Sequence, residues 1–271
     1  WTDEWWRGGL TVDDWAFGLV DGARRPKPAL AAVQGTFAEV PFPSSDRAKC
    51  LKVSVVVCAY NAASTMGDCL ESLGRLTYPD LEVIVVNDGS TDHTAQAAMD
   101  AGAVVIHHPQ NLGLGLALRS GFAVALEEGY DAVVTLDGDG QHDPAEIPRL
   151  LDAARRRHDA LVIGHRVIDR SAMPLIRHWT NRFMSWIVSW LAGQSIPDTQ
   201  CGFRVIRRHV LETIQLTTHR FDVATELLLA SARRGWTVTS VPIRTIYQAN
   251  QRSHIRPLRD GRLVHHLAAW R

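Results

Sequence analysis

Lysine is scarce in this chain of 271 residues, at three against 26 arginines. Codon usage in a GC-rich genome accounts for such a preference but leaves the positive charge in place. Cysteine is scarce too: Cys50, Cys58, Cys69 and Cys201 form no C-x-x-C pair, which excludes a zinc ribbon, a dithiol redox motif and a disulfide scaffold. Cys58 sits in an apolar run and reads as a small core hydrophobe, which suggests a reducing compartment. No run approaches the ~20 apolar residues that a membrane span needs, and no signal peptide is visible. Neither a Walker loop nor G-x-G-x-x-G occurs, so a phosphate cradle is not signalled by glycine spacing alone. Net charge is zero, and a nucleic-acid partner is not expected.

What is present is unevenly distributed. Residues 1–150 carry 21 acids against 10 Lys and Arg, whereas residues 151–271 carry 8 acids against 19 Arg. An acidic front half suits a metal ion and a basic back half suits an anionic partner. Residues 1–49 differ from the rest: four of the nine Trp fall in the first fifteen positions, and "PFPSSDRAK" closes the segment as a Pro/Ser linker. Such a segment is too short to bury a core alone. It is expected to be the tail of a preceding domain, ending in a helix from about Pro28 to Glu39. The first residue is Trp1, and "LVHHLAAWR" reads as an unfinished helix, so the chain is expected to be a fragment of a longer protein.

From Lys52 onward the pattern alternates. "VSVVVCAYN" is a short continuous apolar run ended by polar residues, as in a strand buried on both faces. The spacing predicts a helix over 65–75, a strand in "LEVIVVNDGS", a helix over 92–101, a strand in "AVVIHH" and a glycine-opened helix in "NLGLGLALRSGFAVAL". Then come a strand in "DAVVTLDGD", a helix over 144–156 and the strand "ALVIG". Alternation at this spacing means an α/β fold with a mostly parallel sheet, helices on both faces and right-handed crossovers. Ligands bind outside the carboxyl ends of such strands. The polar clusters "AYN", "NDGSTD" and "DGDGQHD" all occur there.

Asp137 and Asp139 stand two apart at a strand end, a spacing that points both carboxylates to one face. Such convergent acids suit Mg²⁺ or Mn²⁺, which complete their shells with phosphate oxygens and water. Gln141 adds a neutral oxygen, and Gly138 leaves room for a ligand. Asp88 is placed to accept hydrogen bonds from a nucleotide, flanked by Ala59, Tyr60 and Asn61, while Asp92 is expected to cap the following helix. The glycines around Gly115 offer a phosphate cradle at a helix N-terminus, although the spacing alone is a weak signal.

"VSVVVCAYNAASTM", "YPDLEVIVVNDGSTDHT", "NLGLGLALRSG" and "TLDGDGQHDP" resemble the successive motifs of inverting family-2 glycosyltransferases with the GT-A fold. The resemblance runs from about Val53 to Tyr247. "GHR", "MPLIRHWTN", "DTQCGFRVI", "RFDVATELLLASARRGWTVTSVPI" and "YQANQRSH" narrow it to polyprenyl-phosphate sugar transferases of the dolichyl-phosphate mannose synthase type. Residues 50–271 are then the catalytic domain, with a nucleotide-diphosphate sugar as donor, polyprenyl phosphate as acceptor, and a place at the cytoplasmic face of a bacterial membrane. The resemblance assigns nucleotide binding to Asp88, the metal to Asp137, Asp139 and Gln141, and the lipid phosphate to Arg166 and Arg177. Separately, "TDEWW…DWAFGL…RPKPAL" is similar to the last unit of barrel-type glycosidase-like domains, over about forty residues. The family often has Pro-x-Tyr-Asn-Glu after the first strand. Here Ala62 stands in the carboxylate's place, and the Q-x-x-R-W signature of processive synthases is absent.

A phosphate acceptor is already anionic and attacks without a strong base, whereas a hydroxyl acceptor needs one, for which Asp198 is the candidate; a cap or turn role is the alternative. Arg204 either binds phosphate or pairs with an acid of the metal site. Ser253, with His254 and Arg256, lies in a polar loop that either closes over the donor and its acceptor or is ordinary surface. Trp179, Phe183, Trp186 and Trp190 fall on one helical stripe, suited to the headgroup layer of a membrane, to the sheet or to a partner subunit. The histidine pairs 107–108 and 265–266 receive no catalytic role. Two other classes remain open: nucleotidyl transfer, which lacks its Gly-rich basic loop here, and a non-catalytic nucleotide-binding module.

Overall fold

The computed structural model describes residues 5–7, 10–12, 25, 27, 28, 30, 31, 50–157, 160–166, 175–220, 222–244 and 246. The chain divides into two compact units, residues 1–50 with 77–79, and 51–76 with 80–271. In the first, β1 (Trp5–Arg7) pairs antiparallel with β2 (Leu10–Val12), Trp6 opposite Thr11.

The second unit is built on a seven-stranded sheet. In chain order its elements are β3 (Val53–Ala59), α1 (Ala63–Gly74), β4 (Leu81–Asn87), α2 (Thr94–Asp100), β5 (Val104–His107), α3 (Leu114–Glu127) and β6 (Ala132–Asp137). There follow a 3₁₀ turn (Pro144–Glu146), α4 (Ile147–Arg157), β7 (Leu161–Arg166), α5 (Leu175–Ala192), β8 (Arg204–Arg207), α6 (Arg208–Thr213), α7 (Val223–Arg233) and β9 (Val238–Ile243). The spatial order is β5-β4-β3-β6-β8-β7-β9. All neighbours run parallel except β8, which is antiparallel to both β6 and β7.

The apolar runs form strands because both faces are covered: Val53, Val55, Val56 and Val57 are fully buried in β3, and Ile84, Val85 and Val86 in β4. Helix α1 turns Met66, Cys69, Leu70 and Leu73 inward, a spacing of three and four residues that makes one apolar face. The 3₁₀ turn is entered through Asp143, whose carboxylate accepts from the Ala145 N–H at 3.0 Å, with Pro144 in the first position.

One topological fact fixes the site. From β3 the chain steps outward to β4 and β5, then returns so that β6 pairs on the other side of β3. In open sheets of this kind ligands bind outside the carboxyl ends of the strands beside such a reversal, here β3 and β6. The register sets Cys58 of β3 beside Asp137 of β6.

Candidate active site

The carboxyl end of β6 carries the acidic loop. Asp137 is its last strand residue, and Gly138 donates its N–H to the Cys58 carbonyl at 3.1 Å. Thr65, in the first turn of α1, donates its hydroxyl to the Gly138 carbonyl at 2.5 Å, so the helix fixes the turn between the two acids. Asp139 accepts from the Gln141 N–H at 3.0 Å, closing a short turn. The Gln141 carbonyl in turn accepts from Ile246 N–H at 3.0 Å, which ties the loop to the segment beyond β9.

The two acids titrate in opposite directions. Burial pushes Asp137 up, but a hydrogen bond from His142 Nε2 at 3.3 Å, with the charges of His142, Arg204 and Arg166, outweighs it and holds the carboxyl below its usual range. Asp139 is pushed up, first by burial and then by repulsion from Asp137. Crowded carboxylates of this kind await a cation. Among the described residues no three His, Cys, Asp or Glu side chains converge. A hard divalent ion here would therefore take one or two carboxylates from the chain and the rest of its shell from a ligand and water. The donor set, all oxygen, fits Mg²⁺ or Mn²⁺.

Three residues that the sequence reading passed over shape this corner. Gly202, in the loop before β8, is the wall against which Asp137 lies: a Cβ there would fall 2.4 Å from Oδ2 and 2.9 Å from Cγ. His142 is buried, tilted against the Phe203 ring at 5.4 Å, and its Nδ1 has no hydrogen-bond partner. Thr65 is the third. The sequence cue for His142 was its place inside the acidic cluster, but nothing in the one-dimensional pattern brings the "CGFR" stretch to Asp137.

On the other side of β6, Arg166 and Asp198 form one unit. The last residue of β7, Arg166 donates Nε to Asp198 Oδ2 at 2.7 Å and its terminal nitrogen to Oδ1 at 2.9 Å, a two-pronged pair that is nearly buried. Burial pushes Asp198 up, yet Arg166 overrides this and holds the carboxyl below its usual range. A carboxylate held in this way is a poor proton acceptor.

Arg204 departs from the phosphate-binding expectation. It is 3% exposed and donates to the carbonyls of Cys201 at 2.8 Å, Thr199 at 3.0 Å and Ala224 at 2.7 Å. Burial lowers its pKa. Its guanidinium is a brace beneath the site, and its charge reaches Asp137 from behind.

The phosphate cradle expected at Gly115 is closed. Gly113 (φ 94°) and Gly115 lie against the backbone of residues 218–219: the Gly115 N–H donates to the His219 carbonyl at 3.0 Å, and a Cβ there would sit 2.3 Å from the Thr218 carbonyl oxygen. The anion at the N-terminus of α3 is Asp88 itself, accepting from the Leu112 and Gly113 N–H groups at 2.9 Å each. These glycines answer close backbone packing, so Gly115 makes no opening for a nucleotide.

The remaining nucleotide candidates line the ends of β3 and β4. Asn61 takes a left-handed backbone (φ 51°) and accepts from the Thr91 N–H at 2.9 Å, while its own N–H donates to Ser90 Oγ at 2.9 Å. Ala59 is buried and Tyr60 is 46% exposed at the rim. Asp92 accepts from Thr94 and Ala63 N–H groups, joining the starts of α2 and α1. Arg177 lies on α5 in a stretch whose side chains are outside the described residues, and Ser253, His254 and Arg256 are outside them altogether.

A mostly parallel sheet with an acidic loop at its reversal point is the layout of a GT-A glycosyltransferase, and the comparisons agree. The description "Glycosyl transferase family 2" matches residues 54–215. An undecaprenyl-phosphate mannosyltransferase from Micrococcus luteus is 32% identical over 209 residues, covering 71% of this chain and 83% of that protein. A polyprenol monophosphomannose synthase from Mycolicibacterium smegmatis is 33% identical over 188 residues, covering 63% and 69%. Among solved structures, glucosyl-3-phosphoglycerate synthase from Mycobacterium tuberculosis superposes with a TM-score of 0.66 at 22% identity, covering 83% of this chain and 82% of that one. The chain belongs to glycosyl transferase family 2 and is a glycosyltransferase.

Proposed function

We propose that this glycosyltransferase moves a hexose from a nucleotide-diphosphate sugar to a polyprenyl phosphate, with inversion at the anomeric carbon. The observation that carries the acceptor class is the Arg166–Asp198 pair. A hydroxyl acceptor needs a base, and the acid best suited by sequence to that role is held ionised by a guanidinium. Asp139 is the acid pushed up, first by burial and then by Asp137, and that second neighbour suits it to half of a cation pair. A phosphate monoester needs no base: it is anionic at neutral pH and needs positive charge to approach a second phosphate group. The names of the two bacterial relatives point the same way.

In this reading Ala59, Tyr60, Asn61 and Asp88 border the nucleotide at the ends of β3 and β4. Asp137, Asp139 and Gln141 would hold Mg²⁺ or Mn²⁺, and the ion would supply Lewis-acid stabilisation of the departing diphosphate. Thr65, His142 and Gly202 keep the two carboxylates in place. Arg166, oriented by Asp198, and Arg177 meet the acceptor phosphate, whose oxygen attacks the anomeric carbon as the bond to the diphosphate breaks. The outer face of α5 meets the lipid surface that holds the acceptor: Phe183, Trp186 and Trp190 are 60%, 64% and 65% exposed, and the Phe183 and Trp186 rings stack at 6.1 Å. No described helix is long and apolar enough to cross a membrane.

The test is direct. The chain is incubated with labelled GDP-mannose or UDP-glucose, undecaprenyl phosphate and Mn²⁺, and label is counted in the organic phase. Lipid-bound label that is lost on chelation supports the reading. Label found only on added glycan or protein would overturn it.

A further inference from the structure

His108, which the sequence reading set aside, stands in a three-residue chain. Its Nδ1 lies 2.7 Å from Asp88 Oδ1 and its Nε2 3.0 Å from Ser120 Oγ. An ionised carboxylate only accepts, so Nδ1–H is the donor to Asp88. In the neutral ring Nε2 then accepts from the Ser120 hydroxyl. The imidazole and the carboxylate are both nearly buried, at 8% and 6% side-chain exposure.

Asp88 is the hub of this corner. Its N–H donates to the Ala59 carbonyl at 2.9 Å, tying the end of β4 to the end of β3. Oδ1 accepts from His108 and from Leu112 N–H, and Oδ2 from Gly113 N–H. The next residue, Gly89, packs so closely on the 110–111 backbone that a Cβ would fall 2.2 Å from the Gln110 carbonyl carbon. The carboxylate therefore sets the spacing between the 88–91 turn and the 110–113 loop. Oδ1 already has two partners, so a nucleotide at this edge meets chiefly the remaining acceptor capacity of Oδ2, in one orientation. His108 is the side chain that fixes that orientation, and Ser120 on α3 fixes the ring.

We infer that His108 is a positioning residue for the donor nucleotide, acting through Asp88, with Ser120 as its anchor. This rests on the reading above that the nucleotide lies at the ends of β3 and β4. It concerns donor affinity and not the acceptor or the chemical step.

The experiment exploits the two ring nitrogens. The short amide of His108→Asn reaches the place of Nδ1 and keeps a donor to Asp88, whereas His108→Gln reaches the place of Nε2 and keeps only the Ser120 side. UDP and GDP, each with Mn²⁺, are titrated calorimetrically into wild type, H108N, H108Q and S120A, with thermal midpoints measured in parallel. For whichever nucleotide binds wild type, H108Q should weaken Kd by about tenfold, the order of one charge-assisted hydrogen bond. H108N should stay within about threefold of wild type, and S120A, whose ring has lost its anchor, should fall between H108N and H108Q. In turnover, H108Q should raise the donor KM while kcat and the acceptor KM hold. A merely structural histidine would instead lower the thermal midpoint in H108N and H108Q alike and show no ordering of donor affinity between them. Equal affinity in all variants, or equal loss in H108N and H108Q, overturns the inference. Should wild type bind a nucleotide yet transfer to no lipid, the acceptor reading fails while the His108 comparison stands. Binding of neither nucleotide overturns both.

Discussion

Gly202→Ala isolates the contribution of one carboxylate's position. A Cβ at residue 202 would lie 2.4 Å from Asp137 Oδ2 and 2.9 Å from Cγ. Ordinary contact begins near 3.4 Å, so the carboxylate must retreat by about 1 Å. The backbone of Gly202 lies outside the left-handed region, so alanine fits the chain itself without strain. The Asp137 side chain is 40% exposed and can rotate toward solvent, which keeps the stability cost under about 1 kcal/mol. A displacement of ~1 Å at a reacting centre costs on the order of 10²-fold in rate. The assay is initial velocity over a Mn²⁺ titration, with the thermal midpoint as a check on folding. We expect kcat/KM to fall about a hundredfold with a weaker Mn²⁺ dependence. A folded G202A enzyme within threefold of wild type at every metal concentration would refute the claim that Asp137 must sit where it does.

Asp139→Asn should abolish turnover, and in metal-free buffer its thermal midpoint should hold or rise, because the change removes a partly buried charge and its repulsion by Asp137, the two causes that push Asp139 up. Near-normal activity in that variant would contradict its place beside the cation. Asp198→Asn removes the carboxylate that pairs in two prongs with the nearly buried Arg166 and should cost about 3 kcal/mol in denaturant unfolding, with a raised acceptor KM. Glu226 gives a pH prediction. Burial pushes its pKa up, but hydrogen bonds from the hydroxyl and backbone N–H groups of Thr218 and Thr217 outweigh it, so the folded pKa is lowered. Its stabilisation is thus present above the ordinary glutamate range and is lost as pH falls through the depressed folded value. Unfolding of wild type and E226Q should differ by about 2 kcal/mol at pH 7 and converge below about pH 4; a gap that is constant with pH would be inconsistent with an ionised Glu226.

Much of the architecture was legible because it is written in local periodicity. "VSVVV" and "LEVIVV" have no polar face, and a strand without one must be covered on both sides, which already requires the βα alternation. The acidic loop was legible for the same reason: Asp137 and Asp139 are two residues apart, so their proximity is a property of the chain and not of its folding. The helix over 175–192 showed its stripe of aromatics through spacing alone. β8 was not visible as a strand, since four residues rich in arginine carry no period and its antiparallel place between β6 and β7 depends on partners far away in sequence.

Local pattern therefore determined the mostly parallel sheet, the polar ends of its strands and the pair of neighbouring acids at the end of β6. Only the tertiary structure decided what the isolated polar residues do, because a hydrogen bond between distant residues leaves no trace in spacing. Asp198 meets Arg166 across 32 residues, Arg204 is consumed by three backbone carbonyls, and Gly202 crosses 65 residues to make room for Asp137. Asp88 displaced the phosphate expected at the N-terminus of α3, since a buried carboxylate of the chain's own is always present at that helix end, whereas a diffusing anion must first be captured.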